Sequence, residues 1–135
     1  MAIQRASSLS GANQQLARRE ILTVALLDTK SISEAIDCRG GWIGFLHLGA
    51  ALDGADIRFL VTEDGDASSP TWEPMVDSAG VEVKITATVA SWIALPESIR
   101  DLLRLARWVQ LETETAGSPT VQTADRSLRV GIVYK

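Results

Sequence analysis

Any catalytic chemistry in this chain has to come from very few residues. His47 is its single histidine and Cys38 its single cysteine. A nucleophile and base pair needs the two held side by side. They stand nine positions apart across Gly40-Gly41, so a hairpin there would bring them together. The plainer reading is a half-buried histidine on a strand and an inert, half-buried thiol. Zinc sites need more His and Cys ligands than the chain holds. Glu63-Asp64-Gly65-Asp66 superficially resembles a calcium loop. It lacks the ligand spacing of an EF-hand and reads as a solvated turn. Glu82, Glu112 and Glu114 occupy the polar alternation positions of strands, and no carboxylate pair stands out for glycoside chemistry. There is no phosphate loop and no dinucleotide fingerprint. No catalytic residue, cofactor or metal ligand is expected, and the chain reads as a non-enzyme.

Composition sets the class. The 135 residues are 46% hydrophobic and 22% charged, which fits one folded domain of ordinary size. A net charge of −4 argues against a protein that coats nucleic acid. Arg18, Arg19, Arg100, Arg104 and Arg107 could form a small basic patch, but read more simply as solvated or as partners of nearby acids. One cysteine rules out an intrachain disulfide. No apolar run reaches the length of a membrane span, and Met1 to Gly11 lacks the apolar core of a signal peptide. Neither a nucleic-acid nor a membrane partner is expected, and the reducing cytoplasm is the expected place of synthesis.

The elements that would hold these residues are strands. Residues 1–17 are poor in large apolar side chains and read either as a disordered tail or as an arm that orders only against a neighbour, with room for a short helix over Asn13 to Arg19. From Glu20 the pattern changes. The run from Ile21 to Leu27 reads as a strand buried on both faces. A weaker strand with Ile32 and Ile36 follows, then Trp42 to Leu48, where Gly44 marks a bulge or a close backbone approach. Ile57, Phe59 and Val61 alternate with Arg58, Leu60 and Thr62. Pro74 suggests an edge strand, and Asp77-Ser78-Ala79-Gly80 turns it into a hairpin with Val81 to Thr86. Ser91 to Leu95 is short. Pro96 to Leu105 is the one helix, with Ile99, Leu102 and Leu103 on one face, placed to plug an end of the sandwich. A strand from Leu105 to Glu112 follows. The last strand turns Leu128, Val130, Ile132 and Tyr134 one way and Arg129, Gly131, Val133 and Lys135 the other.

About eight strands at this spacing predict an all-β fold, an antiparallel β-sandwich or jelly roll with one short helix and an extended N-terminal arm. The expected division is an arm over 1–19 and a sandwich over 20–135. Trimming the C-terminal strand should damage the sheet. Four tryptophans remain. Trp42, Trp72 and Trp92 read as core residues. Trp108 falls on the polar face of its strand, and reads equally as an interface anchor, a sugar-stacking platform, or a side chain packed beneath a loop.

The order of motifs also carries a resemblance. Ile36-Asp37-Cys38-Arg39-Gly40 precedes a tryptophan-containing strand, then Ile57 to Gly65 and Trp72. The Asp77–Gly80 hairpin, Ile93-Ala94-Leu95-Pro96, Arg107 to Leu111 and Ala124-Asp125-Arg126 follow. Over residues 32–135 this resembles the small β-sandwich virion proteins of tailed bacteriophages. The resemblance implies a head decoration (cement) protein that binds the major capsid protein lattice. Such a protein is expected to be a homo-oligomer, with a trimer as the candidate state, found in the virion after assembly in the host cytoplasm. Ile3, Gln4, Arg5, Leu9 and Leu16 of the arm, together with Trp108, are then the expected interface residues. A tail or head–tail connector component and a carbohydrate-binding module with Trp72 or Trp108 as platform are the alternatives.

Overall fold

Alternating strands separated by glycine-rich turns fold into two antiparallel sheets in a computed structural model that describes residues 18–49, 52–62, 71–87 and 92–134. The strands are β1 (Arg18–Leu26), β2 (Ile36–Asp37), β3 (Trp42–His47), β4 (Asp56–Thr62) and β5 (Glu73–Pro74). They continue as β6 (Lys84–Thr86), β7 (Trp92–Ala94), β8 (Trp108–Thr115), β9 (Ser118–Pro119) and β10 (Arg126–Tyr134). One helix, α1 (Glu97–Leu103), lies between β7 and β8. The first sheet runs β1-β10-β3-β7. The second runs β2-β8-β4-β5, with β6 also on β4 and β9 on β8. The chain is an all-β sandwich.

The core lies between the sheets. Val24, Leu26, Leu128, Val130, Ile132, Ile43 and Leu46 face inward from the first sheet, and Ile57, Phe59, Val109 and Leu111 from the second. Most are the period-2 positions of their strands, so the alternation in the sequence places them; in β3, Ile43 and Leu46 stand three apart because the ladder shifts register there. Leu103 of α1 is fully buried, with Ile99 and Leu102 packed beside it against the core. The C-terminal β10 is central, paired with β1 over nine residues and with β3 on its other side. Pro74 lies on an edge as its type requires, pairing only with Leu60 of β4. The β5–β6 turn is tied by Asp77, whose carboxylate accepts from the N–H groups of Ala79 and Val81 at 2.9 and 3.0 Å.

Three local expectations change. The run from Ile21 is not buried on both faces: β1 is the edge of its sheet, and Ile21 and Thr23 are exposed. Its apolar character comes from an inner face plus the exposed Ile21 and Leu27. The turn at Arg39-Gly40 uses two left-handed residues, with φ of 49° and 84°. It is not a hairpin within a sheet, because β2 belongs to one sheet and β3 to the other. The strand expected from Leu105 begins at Trp108 instead. Leu105 lies just past the end of α1 and is 87% exposed.

Candidate functional site

Register puts a row of apolar side chains on the outside of the first sheet. Ile21 pairs with Gly131, Gly131 with Phe45, and Phe45 with Ala94. The neighbouring row reads Thr23, Arg129, His47 and Trp92. Two glycines shape this surface. A Cβ on Gly131 would overlap the Phe45 ring, and one on Gly44 would meet Val133 Cγ2 at 2.6 Å. Their bare backbones let Phe45 lie flat across β10 and Val133 across β3, beside the β-bulge at Gly131/Ile132.

Trp92 is the centre of the surface. Its ring meets Phe45 edge-on at 5.9 Å and His47 at 5.3 Å. The Arg129 guanidinium lies 5.6 Å from its centroid. Three neighbours fix the indole, yet it remains 44% exposed, and Ile21 on the same face is 50% exposed. A shallow apolar depression lined by Arg19, Ile21, Phe45, Trp92 and Ala94 opens on this face. An antiparallel sheet with one solvated face normally turns polar side chains outward. Here outward apolar residues are contiguous instead, with Arg19 and Arg129 beside them.

The outside of the second sheet is built oppositely. Arg58 of β4 directs Nε and Nη2 to one oxygen of Glu112, and Nη1 to Glu82 at 2.8 Å. Lys84 Nζ lies 3.2 Å from Glu114 and 3.8 Å from Asp56. Four carboxylates thus share two cations. Glu112 is 4% exposed and Glu114 fully buried. One Glu114 oxygen makes no hydrogen bond and has only the Arg58 Nη1 charge at 3.5 Å. Burial works against the Arg58 charge, but the hydrogen bonds it donates to Glu112 and Glu82 outweigh it and hold its pKa above the ordinary value. The arginine therefore stays charged and occupies the space between the carboxylates. Among the described residues, no group of three His, Cys, Asp or Glu side chains is placed to hold a metal.

The residues singled out from the sequence fall in different places. Cys38 is fully buried in the core, and burial beside Asp37 pushes its thiol up to about 12. His47 sits against Trp92 on the outer face, so no thiol–imidazole pair forms. Glu112 and Glu114, read as ordinary polar positions, are buried. Trp108 is half-buried at the start of β8, paired in register with Asp37 and Thr62, with the Arg107 guanidinium 5.5 Å from its ring. Arg104 and Arg107 pair with Asp101 and Asp37 at 3.8 and 3.2 Å. Trp92 is the correction among the tryptophans: read as core, it is an outward residue. Ile3, Gln4, Arg5, Leu9 and Leu16 lie outside the described residues, as does the Glu63–Asp66 loop. No helix among the described residues is long and apolar enough to cross a membrane.

Trp92, Phe45 and Ile21 went unrecognised in the sequence as a surface. The available signal was glycine at Gly44 and Gly131, in the middle of strands, where close approach by a ring was the physical reason. Compared with family models, curated proteins and solved structures, the chain matches none.

Proposed function

We propose that the chain is a non-catalytic contact module that binds a protein partner through the outer face of its four-stranded sheet. The observation that carries this reading is Trp92, held on three sides and still 44% exposed. A tryptophan whose rotamer is already fixed loses little entropy on binding and buries a large area, as interface hot spots do. In its specific form the partner is the major capsid protein of a tailed bacteriophage and the module a decoration protein. That step rests on the resemblance in sequence motifs. A tail or connector position is the same reading with fewer copies.

The test is co-sedimentation of the purified chain with expanded capsids, wild type against Trp92→Ala. Retention by capsids and a loss of at least about tenfold in affinity for the variant are expected, one hot-spot's worth. Failure of the wild type to sediment with capsids or tails removes the virion reading. Equal binding by the variant moves the contact off this face.

A second reading is favoured by the same indole. A fixed, exposed ring on a sheet face also suits stacking on a sugar, with Trp92 replacing Trp72 and Trp108, which are both half-buried. A glycan array with Trp92→Ala as control decides it: a Trp92-dependent signal supports glycan binding, and a blank array ends it.

A further inference from the structure

We infer that β1 is a self-pairing edge, through which two copies of this chain join their four-stranded sheets into one continuous sheet across a two-fold axis. The inference is independent of what the outer face binds.

The geometry begins at Ala25. Its N–H donates to a Glu34 carboxylate oxygen at 2.8 Å, and its C=O accepts from the Glu34 N–H at 3.0 Å. Both bonds leave the β1–β10 ladder. In an antiparallel strand a residue turns both backbone groups to the same side, and alternate residues share that side. Thr23, Ile21 and Arg19 therefore present their N–H and C=O groups to the free edge. Among the described residues, no strand pairs with that edge. A groove lined by Leu22, Thr23, Glu34, Ala35 and Ile36 runs beside it.

Apart from the exposed Arg19 at one end, the edge lacks the usual protections against pairing. The register with β10 is unbroken over nine pairs, so no bulge twists the edge away. From Ile21 to Leu26 the strand has no charge, proline or glycine. Glu20, its one acid, is tied back by the Tyr134 hydroxyl at 2.7 Å.

Why a second copy rather than another partner follows from the shape of the free stretch. Glu34 closes it at Ala25, which leaves Arg19, Ile21 and Thr23 with Ile21 at the centre. Antiparallel self-pairing about Ile21 sets Arg19 against Thr23 of the second copy and Ile21 against Ile21. All three free residues are then used in each copy, with six N–H···O=C bonds. The ends also match in charge. The stretch opens on Arg19 and closes beside Glu34, so each basic end meets an acidic end. Pairing in this register joins the outer apolar rows as well: Ala94, Phe45, Gly131 and Ile21 continue into Ile21, Gly131, Phe45 and Ala94 of the second copy. The two Trp92 side chains then share one eight-stranded face, seven strand spacings or roughly 34 Å apart.

Sedimentation of the full chain from about 1 to about 200 µM tests the association, a range that covers modest interfaces. A concentration-dependent dimer is expected, and Ile21→Lys should weaken it at least about tenfold. Ile21 is half-exposed, so the variant keeps its core. The register is read by crosslinking, and the one native thiol, Cys38, is buried and stays out of the reaction. Opposed residues in a hydrogen-bonded pair stand about 5.5 Å apart, within disulfide reach. Ile21→Cys should crosslink to itself on mild oxidation. Thr23→Cys should not, but should crosslink in a mixture with Arg19→Cys. A monomer over the whole range, a dimer indifferent to Ile21→Lys, or Thr23→Cys crosslinking to itself overturns the inference.

Discussion

The side chains turned away from the core include Ile21, Phe45, Trp92 and Ala94 on the four-stranded sheet, beside Thr23, His47 and Arg129; on the six-stranded sheet they include Arg58, Lys84, Glu112 and Glu114. The apolar set is open to solvent and the charged set is largely closed off from it. Each departs from the ordinary economy of a sheet face, and in opposite directions. The buried charges are explained by one another: desolvation of Glu112 and Glu114 is offset by Arg58 and Lys84. Their pairing also fixes register, since Arg58 stands directly opposite Glu112 in the β4–β8 ladder. Nothing inside the fold explains the exposed aromatics in the same way. The charged face is therefore accounted for by folding, whereas the described residues leave Trp92 and Ile21 open to solvent.

The largest expected effect is on the charged face. Arg58→Met leaves Glu112 and Glu114 buried without their main cation and should destabilise the chain by about 3–5 kcal/mol in urea unfolding. That is a large share of the roughly 5–15 kcal/mol of a typical domain. Adding Glu112→Leu and Glu114→Met should restore most of the loss, because the buried charges are then all replaced by apolar groups and the remaining Glu82, Asp56 and Lys84 reach solvent. A loss below about 1 kcal/mol for Arg58→Met would instead be that of a solvated surface pair, and the contrast between the faces would collapse.

Next comes the glycine beneath the aromatic face. Gly131→Ala drives a methyl group into the Phe45 ring and should lower stability by about 1–3 kcal/mol. The same substitution in a Phe45→Ala background should be nearly silent, since the obstacle is gone. A thermal-melt double-mutant cycle reads the coupling. Equal losses in both backgrounds would mean that the backbone of β10, not the ring, requires glycine there.

These two faces show which parts of the structure were legible in the sequence. The inner face of β10 was readable because Leu128, Val130 and Ile132 repeat at the strand period. Pro74 announced an edge and Asp77 to Gly80 announced a turn through local backbone chemistry. Burial of Glu112 and Glu114 was not readable, because it depends on Arg58, more than fifty residues away, reaching them across a ladder. Exposure of Trp92 was hidden for a related reason. Side-chain type says that a tryptophan gains by burial, but only register shows that it shares a face with His47 and Arg129. Glycines at Gly44 and Gly131 carried part of that information, and its meaning appeared once Phe45 and Val133 were seen lying over them.

Cys38 gives a smaller effect, at the turn that carries the chain from one sheet to the other. Its thiol is held at about 12 by burial, well above the ordinary value of 9.0. The unfolded chain releases this proton first, so stability is intact at neutral pH and falls as pH rises from about 9 toward 12. The slope from this group is about 1.4 kcal/mol per pH unit. Urea unfolding between pH 9 and 10 should show it in the wild type, and Cys38→Ala should flatten it. A slope unchanged by the substitution would assign the alkaline loss to other groups.

The smallest effect on stability belongs to Trp92. Its removal deletes the edge contacts to Phe45 and His47 and the approach of Arg129, together worth about 1 kcal/mol. Most of what the indole has left to bury is not buried by the fold, so Trp92→Ala should unfold within about 1 kcal/mol of wild type. Burying a large aromatic in a core is worth far more, about 3–5 kcal/mol on truncation. A loss of that size would make Trp92 a core residue in energetic terms and return the outer face to the fold. A small loss leaves its area available, and the same variant then carries the binding test with its fold unimpaired. Stability and binding are thereby separated at one side chain: a residue that matters to the fold shows in the first measurement, and one that matters to a partner shows only in the second.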